Sequence, residues 1–439
     1  MAPVLLTVLV LCLPGPTSQV TGSGPVTAAD GASAVLVVWC VLRLLRDRHR
    51  PRRGRMLTPT AAVVLGAPAL AFAAATAASS DPAASLPGFV RYMQIFVVVP
   101  AAVMLLLRDA RDFRLLCGTL GLVSLLQGAL GVVQSLTGTG ASYMGQPIRA
   151  VGTFGALDIM GMSTVVAYGL VAALALGLAA PKDCPRRLRV AALCCAAALV
   201  APLALSYSRG TWIATAVACT VVLLLAGLRR AVLVLAVLAA AAVVAVGGFG
   251  AGSAMIGKRL TSISDVSSTP DRSVTDRYSL WSAATGIWRD APVAGAGIKN
   301  FPAQRDGHAP LGLSSGSDTE GPGTDFQRQP LLSPHSMYLL ILSEQGLIGV
   351  TAVVGSWAAL LVCGLRRLYE TRQAARAAGT GGVAGCGLAA VGLLVWQLVD
   401  FVYADIGGPS TVLTAIVLGL VAWWALTPAG NAADEASPR

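Results

Sequence analysis

The chain has 439 residues, of which 55% are hydrophobic and only 12% are charged, and its mean hydropathy is +0.71. A chain of this length cannot bury so much apolar surface in soluble cores, which excludes an ordinary soluble protein. The net charge of +11 would indicate nucleic acid as a partner in a soluble protein, but here the charges form short clusters between apolar runs and therefore indicate membrane orientation instead.

Apolar runs recur along nearly the whole chain, and a spanning helix needs about 20 mostly apolar residues. They predict an all-α polytopic membrane protein with about twelve transmembrane helices. The first run resembles part of a signal peptide but lacks a basic flank and a small-residue cleavage site, so we keep it as a poorly formed span. The predicted spans are 2–20, 31–45, 57–78, 87–107, 115–136, 157–180, 188–206, 212–228, 231–250, 335–363, 383–404 and 409–427.

Arginine and lysine clusters lie at every second boundary between these spans. Short basic loops stay in the cytoplasm, so the clusters and both termini are expected inside, as solvated loop charges. The chain then divides into nine helices over 1–250, one long extracytoplasmic loop over 251–334 between spans nine and ten, three helices over 335–428 and a cytoplasmic tail over 429–439. The clusters are Arg43 to Arg55, Arg108/Arg111/Arg114, Lys182/Arg186/Arg187/Arg189, Arg229/Arg230 and Arg366/Arg367/Arg372/Arg376.

The long loop contains one predicted helix. Ser273 to Asp276 resembles a capping box, and a stripe at helical spacing follows it, formed by Arg277, Trp281, Ala284 and Trp288. Tryptophans on such a stripe fit a helix lying at the membrane interface, although packing against other helices explains the stripe equally well. No regular structure is expected in the polar stretch from Phe301 to Ser333.

One of the three histidines has a position suited to chemistry. His49 and His308 are expected to be solvated, whereas His335 follows Ser333 and Pro334 and opens an apolar run. Ser333 as N-cap and Pro334 as the first helical residue would place His335 in a first helical turn, where the helix dipole lowers the pKa of an imidazole. A neutral His335 could act as a general base for a hydroxyl group, or it could merely hydrogen-bond a neighbouring loop.

Three arginines near the outer ends of spans are candidates for binding phosphate: Arg149, Arg209 and Arg277. Guanidinium groups bind phosphate oxygens through two parallel hydrogen bonds, although contact with lipid headgroups is the simpler role for Arg209 in its short turn. Glu344 lies within a predicted span on the side opposite to His335, and it is expected to fix helix packing. Asp158 and Asp400, near span ends, are similar cases.

Other chemistry is not indicated. The nine cysteines show no C-x-x-C pattern, which argues against a disulfide framework and a zinc site. The segment Gly295 to Asn300 lacks the third glycine of a dinucleotide fingerprint. The acidic pair Asp318 and Glu320 is better explained as solvated charge than as a divalent-metal site. We therefore expect no cofactor, no metal and no nucleic-acid partner.

Together the motifs resemble the O-antigen ligase and polymerase family over roughly residues 90 to 365. The motifs are Arg149–Gly155, Ser206–Trp212, Arg277–Trp281, Ala291–Gly297 with Asn300 and Phe301, Pro334–Ser336 and Leu342–Gly349. The chain departs from the family near Asp158, where relatives usually have an asparagine. That departure bears on the donor glycan more than on the type of reaction.

The resemblance implies an enzyme of the cytoplasmic membrane whose active face is extracytoplasmic. It would transfer a glycan from a polyprenyl-pyrophosphate carrier, such as undecaprenyl pyrophosphate, to a hydroxyl group of a glycan, lipid or protein. Arg209 and Arg277 would bind the pyrophosphate, Arg149 would support the donor side, and His335 would assist the acceptor hydroxyl. Glu344, Asp158 and Asn300 would play supporting roles.

Two questions stay open at this stage. A transporter or flippase of lipid-linked glycans also suits about twelve spans, although the candidate charges lie at span ends rather than near the midplane. Within the enzyme class, polymerase, ligase and protein glycosyltransferase share the same donor chemistry, and the residues do not separate them.

Overall fold

A computed structural model of the protein describes residues 1–12, 27–46, 58–143, 148–179, 184–228, 232, 272–321, 324–377, 384–408 and 410–428. The predicted ninth span, apart from residue 232, and the predicted tail 429–439 lie outside the described residues. So does the first part of the long loop, 251–271.

The described chain is mainly helical, and its elements follow the predicted order. Before the long loop the helices are α1 (Ala2–Val10), α2 (Ala28–Arg46), α3 (Pro59–Ala77), α4 (Pro82–Met93), α5 (Val99–Leu106), α6 (Ala110–Thr137), α7 (Gly161–Leu178), α8 (Arg186–Ala198), α9 (Val200–Leu205) and α10 (Arg209–Ala226). Within and after the loop they are α11 (Arg272–Asp290), α12 (Phe301–His308), α13 (Met337–Ala377), α14 (Ala384–Asp400) and α15 (Thr411–Leu426).

Among the described residues, eight helical stretches are long and apolar enough to cross a membrane, and α14 and α15 are shorter apolar helices. A multi-pass helical membrane protein is therefore confirmed, whereas the count of twelve stays a prediction. Two of these stretches combine neighbouring helices: α4 joins α5 through a π-helical turn at Gln94–Val98, and α8 runs almost directly into α9. The helix α1 covers the first part of the predicted span 2–20, and residues 13–20 lie outside the described residues.

The helix bundle has two chemically different ends. At one end α6, α9 and α14 finish and α7, α10, α13 and α15 begin; we call it the loop end, because the long loop lies there. The other end, the basic end, holds the described basic clusters, including the start of α8 at Arg186 and the final turns of α13. Contacts support this alternation: α6 meets the segment before α7 through Gln134, while Gly177 near the end of α7 packs against Leu193 of α8.

The polar stretch 301–333 is more regular than the sequence predicted. It contains α12 and a hairpin of β2 (Ser317–Gly321) and β3 (Thr324–Gln329). A short strand, β1 (Ser142–Tyr143), pairs antiparallel with β2, which gives the sheet order β1-β2-β3. The expectation of no regular structure in this stretch is therefore wrong, and the small sheet lies in a fold that is otherwise helical. The sheet joins the loop before α7 to the long loop, a pairing across about 180 residues that local pattern cannot reveal.

The predicted loop helix exists as α11, but it starts differently. It begins at Arg272, so Ser273 lies inside it, and the Asp276 carboxylate accepts the Ser314 N–H at 3.0 Å instead of serving a capping box. The helix packs against α13; of the predicted stripe Ala284 is buried, whereas Arg277 and both tryptophans are half-buried. The position of α11 at the membrane interface stays a prediction.

The helix α13 is broken in its first turns at Gly346, which has φ +61° and ψ −158°. The segment after α11 hydrogen-bonds to the backbone of α13 at this break. The N–H groups of Ala296 and Gly297 donate to the carbonyls of Ser343 and Glu344, each at 2.9 Å. In return, Leu347 and Ile348 donate to Pro292 and Val293. Backbone groups at membrane depth need such protein partners.

Two glycines make this close approach possible. Gly295 has φ +71°, and a Cβ there would collide with the backbone of Glu344 and Gln345. A Cβ on Gly346 would collide with the backbone of Val293 and Gly295. The glycine pattern that resembled a weak dinucleotide motif thus serves helix packing.

At the basic end, Arg367 is not the solvated loop charge that the sequence predicted. It is 8% exposed, its guanidinium lies over the Trp424 ring, and it donates to the carbonyls of Trp424 and Thr427. These are the last carbonyls of α15, which have no partner within the helix. Arg367 therefore caps the C-terminus of α15, where the helix dipole favours a cation.

Candidate functional site

His335 stands outside the helix in which the sequence placed it. The helix α13 begins at Met337, and His335 has a left-handed φ of +50°. The Met337 N–H donates to the carbonyls of Phe401 at 2.9 Å and Ala404 at 3.0 Å, so the segment after α14 provides the partner for this first helical N–H group. The Ser333 hydroxyl accepts the N–H of His335 at 3.4 Å instead of capping the helix.

The segment after α14 is itself anchored in the apolar core. Phe401 is 2% exposed and stacks on Trp357 of α13, with ring centroids 5.0 Å apart. Its backbone continues the end of α14, since the Phe401 N–H donates to the Gln397 carbonyl at 3.0 Å. A rigid segment therefore holds the backbone after His335, and the left-handed conformation costs on the order of 1–3 kcal/mol that this packing must offset.

The imidazole of His335 is half-buried and interacts electrostatically with two opposite charges, Arg277 of α11 and Asp405. Burial lowers the pKa of His335 below its ordinary value, Arg277 lowers this pKa further, and Asp405 opposes both effects. The lowered pKa favours the neutral imidazole, and burial rather than a helix dipole is its main cause. A neutral imidazole can accept a proton from a hydroxyl group.

Asp405 is a member of this cluster that the sequence reading missed. One of its carboxylate oxygens, Oδ2, is buried and has no hydrogen-bond partner in the described structure. Asp405 acts electrostatically on His335, Glu344 and Asp400, and Arg277 also acts on Asp400. The only sequence signal was an aspartate directly after a predicted span, 383–404, which is not specific. Its role appears only when the segment after α14 packs beside His335.

Arg209 lies at the loop end as the first residue of α10. Ser208 is the N-cap and accepts the Thr211 N–H at 3.4 Å, while Tyr207 before it has a left-handed φ of +50°. The neighbouring Gly210 packs against Tyr403. The same segment after α14 therefore contacts both the Arg209 turn and the start of α13.

Arg149 reaches the loop end through a separate segment. It forms a β-bridge with Ala141, and the next residue, Ala150, donates to the carbonyl of Leu205 at the end of α9. This places the Arg149 segment beside the turn that carries Arg209.

Two glutamines of α6, which the sequence analysis did not single out, hold the segment after Arg149. The Gln134 side chain accepts the N–H groups of Val151 at 3.0 Å and Gly152 at 2.8 Å and donates to the Gly152 carbonyl at 2.8 Å. Gln127, two helical turns earlier, accepts the Thr153 N–H at 3.0 Å and donates to the Thr153 hydroxyl at 2.8 Å. Their spacing of seven residues was a helical signal that could have paired them.

Glu344 and Asn300 both hold the segment between α11 and α12. Glu344 is 2% exposed, and its carboxylate accepts the N–H of Phe301 at the start of α12 at 3.3 Å. The amide of Asn300 donates to the Ser79 hydroxyl at 2.6 Å and to the Ala296 carbonyl at 2.9 Å. These contacts agree with the packing role predicted for Glu344.

Asp158 lies at the same end, just before α7. Its carboxylate accepts the Ser410 N–H at 3.2 Å and packs closely against Gly161 and Gly408. Burial raises the pKa of Asp158, and the contacts with Ser410 partly offset this rise. Asp158 thus joins the start of α7 to the segment before α15.

His308 differs from the solvated residue that the sequence predicted. Its Nδ1 lies 2.9 Å from the Gln304 carbonyl and its Nε2 lies 2.8 Å from the Asp290 carboxylate. Two acceptors favour the doubly protonated ring, and both contacts raise the pKa of His308. His308 therefore links the ends of α11 and α12, apart from the His335 cluster.

The structure thus brings Arg277 within electrostatic range of His335 and places Arg209, Arg149, Asp158, Glu344 and Asn300 on surrounding segments of the loop end. Within the described ranges, no three His, Cys, Asp or Glu side chains are grouped as metal ligands would be. The arrangement offers an imidazole with a lowered pKa, guanidinium groups and buried carboxylates at one end of a membrane bundle. Such a set can bind an anion and move a proton.

Comparison with protein families gives one match. Residues 191–354 match the family model described as O-antigen ligase, which confirms the resemblance for that part of the chain. The matched region includes Arg209, Arg277, Asn300, His335 and Glu344, whereas Arg149 and Asp158 precede it. No curated protein matches the chain.

Proposed function

We propose that the protein transfers a glycan from a polyprenyl-pyrophosphate carrier to an acceptor hydroxyl group at the outer face of the cytoplasmic membrane. One observation carries the proposal: a half-buried His335 lies with Arg277 and Asp405 at the loop end, and His335 and Arg277 fall inside the region that matches the O-antigen ligase family. The product would be a cell-surface polysaccharide or a glycan-bearing lipid or protein.

The reaction needs a base on the acceptor side and positive charge on the donor side. The acceptor oxygen attacks the anomeric carbon of the donor glycan, and the bond between that carbon and the pyrophosphate oxygen breaks. The pyrophosphate leaves with the bonding electrons, while His335 takes the hydroxyl proton and returns it to water. Arg277 and Arg209 bind the pyrophosphate oxygens, which gain negative charge in the transition state.

The other residues have indirect roles in this proposal. Arg149 supports the donor from the segment held by Gln127 and Gln134. Asn300, Glu344 and Asp158 keep the segments around the site in place through backbone hydrogen bonds. This chemistry uses no nucleotide and no redox partner, so we propose that the enzyme works without a cofactor.

The side of the membrane follows from the basic end, which the positive-inside rule assigns to the cytoplasm. Labelling with a membrane-impermeant thiol reagent tests this in a variant without native cysteines. Leu311→Cys, at a fully exposed position of the loop end, should react in intact cells, and Ala374→Cys, exposed near the end of α13, should react only after lysis. The opposite pattern would place the site inside and overturn the proposal.

The reaction itself is tested with purified protein in detergent and a lipid-linked oligosaccharide repeat. We expect free polyprenyl pyrophosphate to appear together with a glycosylated product. A ladder of products would identify a polymerase, and a single adduct on an added lipid or peptide acceptor would identify a ligase or protein glycosyltransferase. A flippase needs two membrane faces and forms no product in detergent, so the absence of product with every acceptor class, together with flipping in vesicles, would contradict the proposal.

A further inference from the structure

We infer that Trp281 is a positioning residue that holds His335 in its working orientation through the backbone of Pro334. This inference rests on the proposed function, because it assigns Trp281 to the same reaction. The sequence alone indicated Trp281 only as part of a helical stripe and of the motif Arg277–Trp281, without a role of its own.

The contact that carries the inference is a single hydrogen bond. The indole Nε1–H of Trp281 donates to the carbonyl of Pro334 at 2.9 Å. That carbonyl belongs to the same planar peptide unit as the N–H of His335, so fixing the carbonyl direction fixes the plane from which His335 takes its φ. The φ of +50° is uncommon for a residue with a side chain and needs such support.

The backbone of His335 is therefore held on both sides. Trp281 fixes the peptide before it, and the carbonyls of Phe401 and Ala404 fix the N–H of Met337 two residues after it. Between these anchors the chain changes from a left-handed residue to the start of α13. Loss of the indole N–H would let the Pro334 peptide rotate, and the imidazole would rotate with it.

The same helix also carries Arg277, four residues before Trp281 on α11. Residues spaced by four lie on one helix face, one turn apart. α11 therefore delivers a guanidinium and the anchor of His335 as one rigid unit, which sets the separation of the donor and acceptor sides of the reaction. A misplacement of about 1 Å in such a unit can cost on the order of 100-fold in rate.

Trp288 provides a matched control on the same helix. Its indole N–H also donates to a proline carbonyl, that of Pro292, at 3.2 Å. Pro292 belongs to the segment that hydrogen-bonds to α13 at its break at Gly346, whereas Pro334 is joined directly to His335. The two tryptophans thus make the same type of bond, and only one of these bonds acts on His335.

The test replaces each tryptophan by phenylalanine and measures transfer with a lipid-linked repeat. Trp281→Phe should lower kcat about 10-fold, the upper end expected for one lost hydrogen bond, with the donor KM nearly unchanged. Trp288→Phe should stay within about two-fold of the wild type. The decisive comparison is the double variant: in a His335→Ala background, Trp281→Phe should cause no further loss, because its effect passes through His335.

Benzothienylalanine at position 281 keeps the ring shape but lacks the N–H, so it reports on the bond even if the phenylalanine variant is poorly folded. It should show the same loss of kcat as Trp281→Phe. Equal losses for Trp281→Phe and Trp288→Phe, or an undiminished Trp281→Phe effect in the His335→Ala background, would overturn the inference. Full activity of His335→Ala alone would instead remove the proposed role of His335, so the two failures are distinguishable.

Discussion

The two ends of the bundle use arginine and backbone geometry in opposite ways. At the basic end, Arg367 is buried against a helix terminus, and its guanidinium donates hydrogen bonds to the carbonyls of Trp424 and Thr427. At the loop end, Arg277 lies beside an imidazole and carboxylates instead. All three residues with a side chain that adopt a positive φ in the described structure, Tyr207, Lys299 and His335, are also at the loop end.

The difference separates charge that stabilises the fold from charge that can do chemistry. A cation on helix carbonyls completes hydrogen bonds that the helix cannot make itself. Strained residues beside ionisable groups do not complete hydrogen bonds in this way. They persist only where surrounding packing holds them. We therefore expect substitutions at the basic end to change stability, and substitutions at the loop end to change activity in a protein that stays folded.

The largest expected effect is that of His335→Ala. General-base catalysis is worth about 10²–10⁴-fold in rate, so kcat should fall on that scale while donor binding is nearly kept. Single-turnover transfer and binding of a lipid-linked donor would separate the two quantities. An unchanged kcat would leave His335 as a strained linker before α13 and remove the contrast between the two ends.

Substitution of the loop-end arginines should have the next largest effect on activity. Arg277→Ala and Arg209→Ala should each lower kcat/KM by about 10²–10³-fold, because phosphate contact and transition-state charge are lost together. Lysine should restore little, since it cannot make two parallel hydrogen bonds. Activity assays at equal membrane abundance would measure this. Near-normal turnover in both alanine variants would make these arginines contacts for lipid headgroups.

The basic end should show the converse behaviour. Arg367→Met should lower the stability of the purified protein by about 1.5–3 kcal/mol, the range for hydrogen bonds from a charged group, with kcat per folded molecule unchanged. Arg366→Met is the matched control, since Arg366 is exposed and pairs only with Glu370 at 3.0 Å in the described structure. That pair is worth about 0.3–0.5 kcal/mol. Similar thermal shifts for both variants would show that the Arg367 contacts do not stabilise α15.

The smallest expected effect concerns His308. Its pKa is raised by the Gln304 carbonyl and the Asp290 carboxylate, so its stabilising contribution is complete below the ordinary histidine pKa and disappears as pH rises through the raised value. His308→Gln should therefore lower thermal stability slightly at pH 6, by less than about 1 kcal/mol for so exposed a pair, and by less at pH 9. A larger loss at pH 9 would reverse the sign and contradict the assignment.

Local signals predicted the membrane helices well. Apolar runs ended by basic clusters placed α6 at 115–136 and α10 at 212–228, against Ala110–Thr137 and Arg209–Ala226 in the structure. The break in α13 at Gly346 was not predicted, because its geometry depends on the distant segment around Gly295; the polar residues Ser343 to Gln345 before it were the only local signal. The three-stranded sheet also depends on a distant pairing.

The sequence indicated which residues lie near the site, but it did not indicate how they are arranged. Ser333 and Pro334 are a valid local signal for a helix start, yet the Met337 N–H finds its partners in Phe401 and Ala404, more than 60 residues later. Tertiary contacts therefore moved the helix start past His335. Asp405 and the indole of Trp281 became visible as neighbours of this segment only in the folded chain.

The most direct test of the account is the pH dependence of single-turnover glycan transfer by the wild-type protein. Because only the neutral imidazole accepts a proton and the pKa of His335 is lowered, the rate constant should be constant around neutral pH and fall about tenfold per pH unit below that pKa. His335→Ala should lose this dependence together with most of the rate. A wild-type rate that is flat in pH while chemistry is limiting, or the same acid limb in His335→Ala, would contradict the claim that His335 is the base.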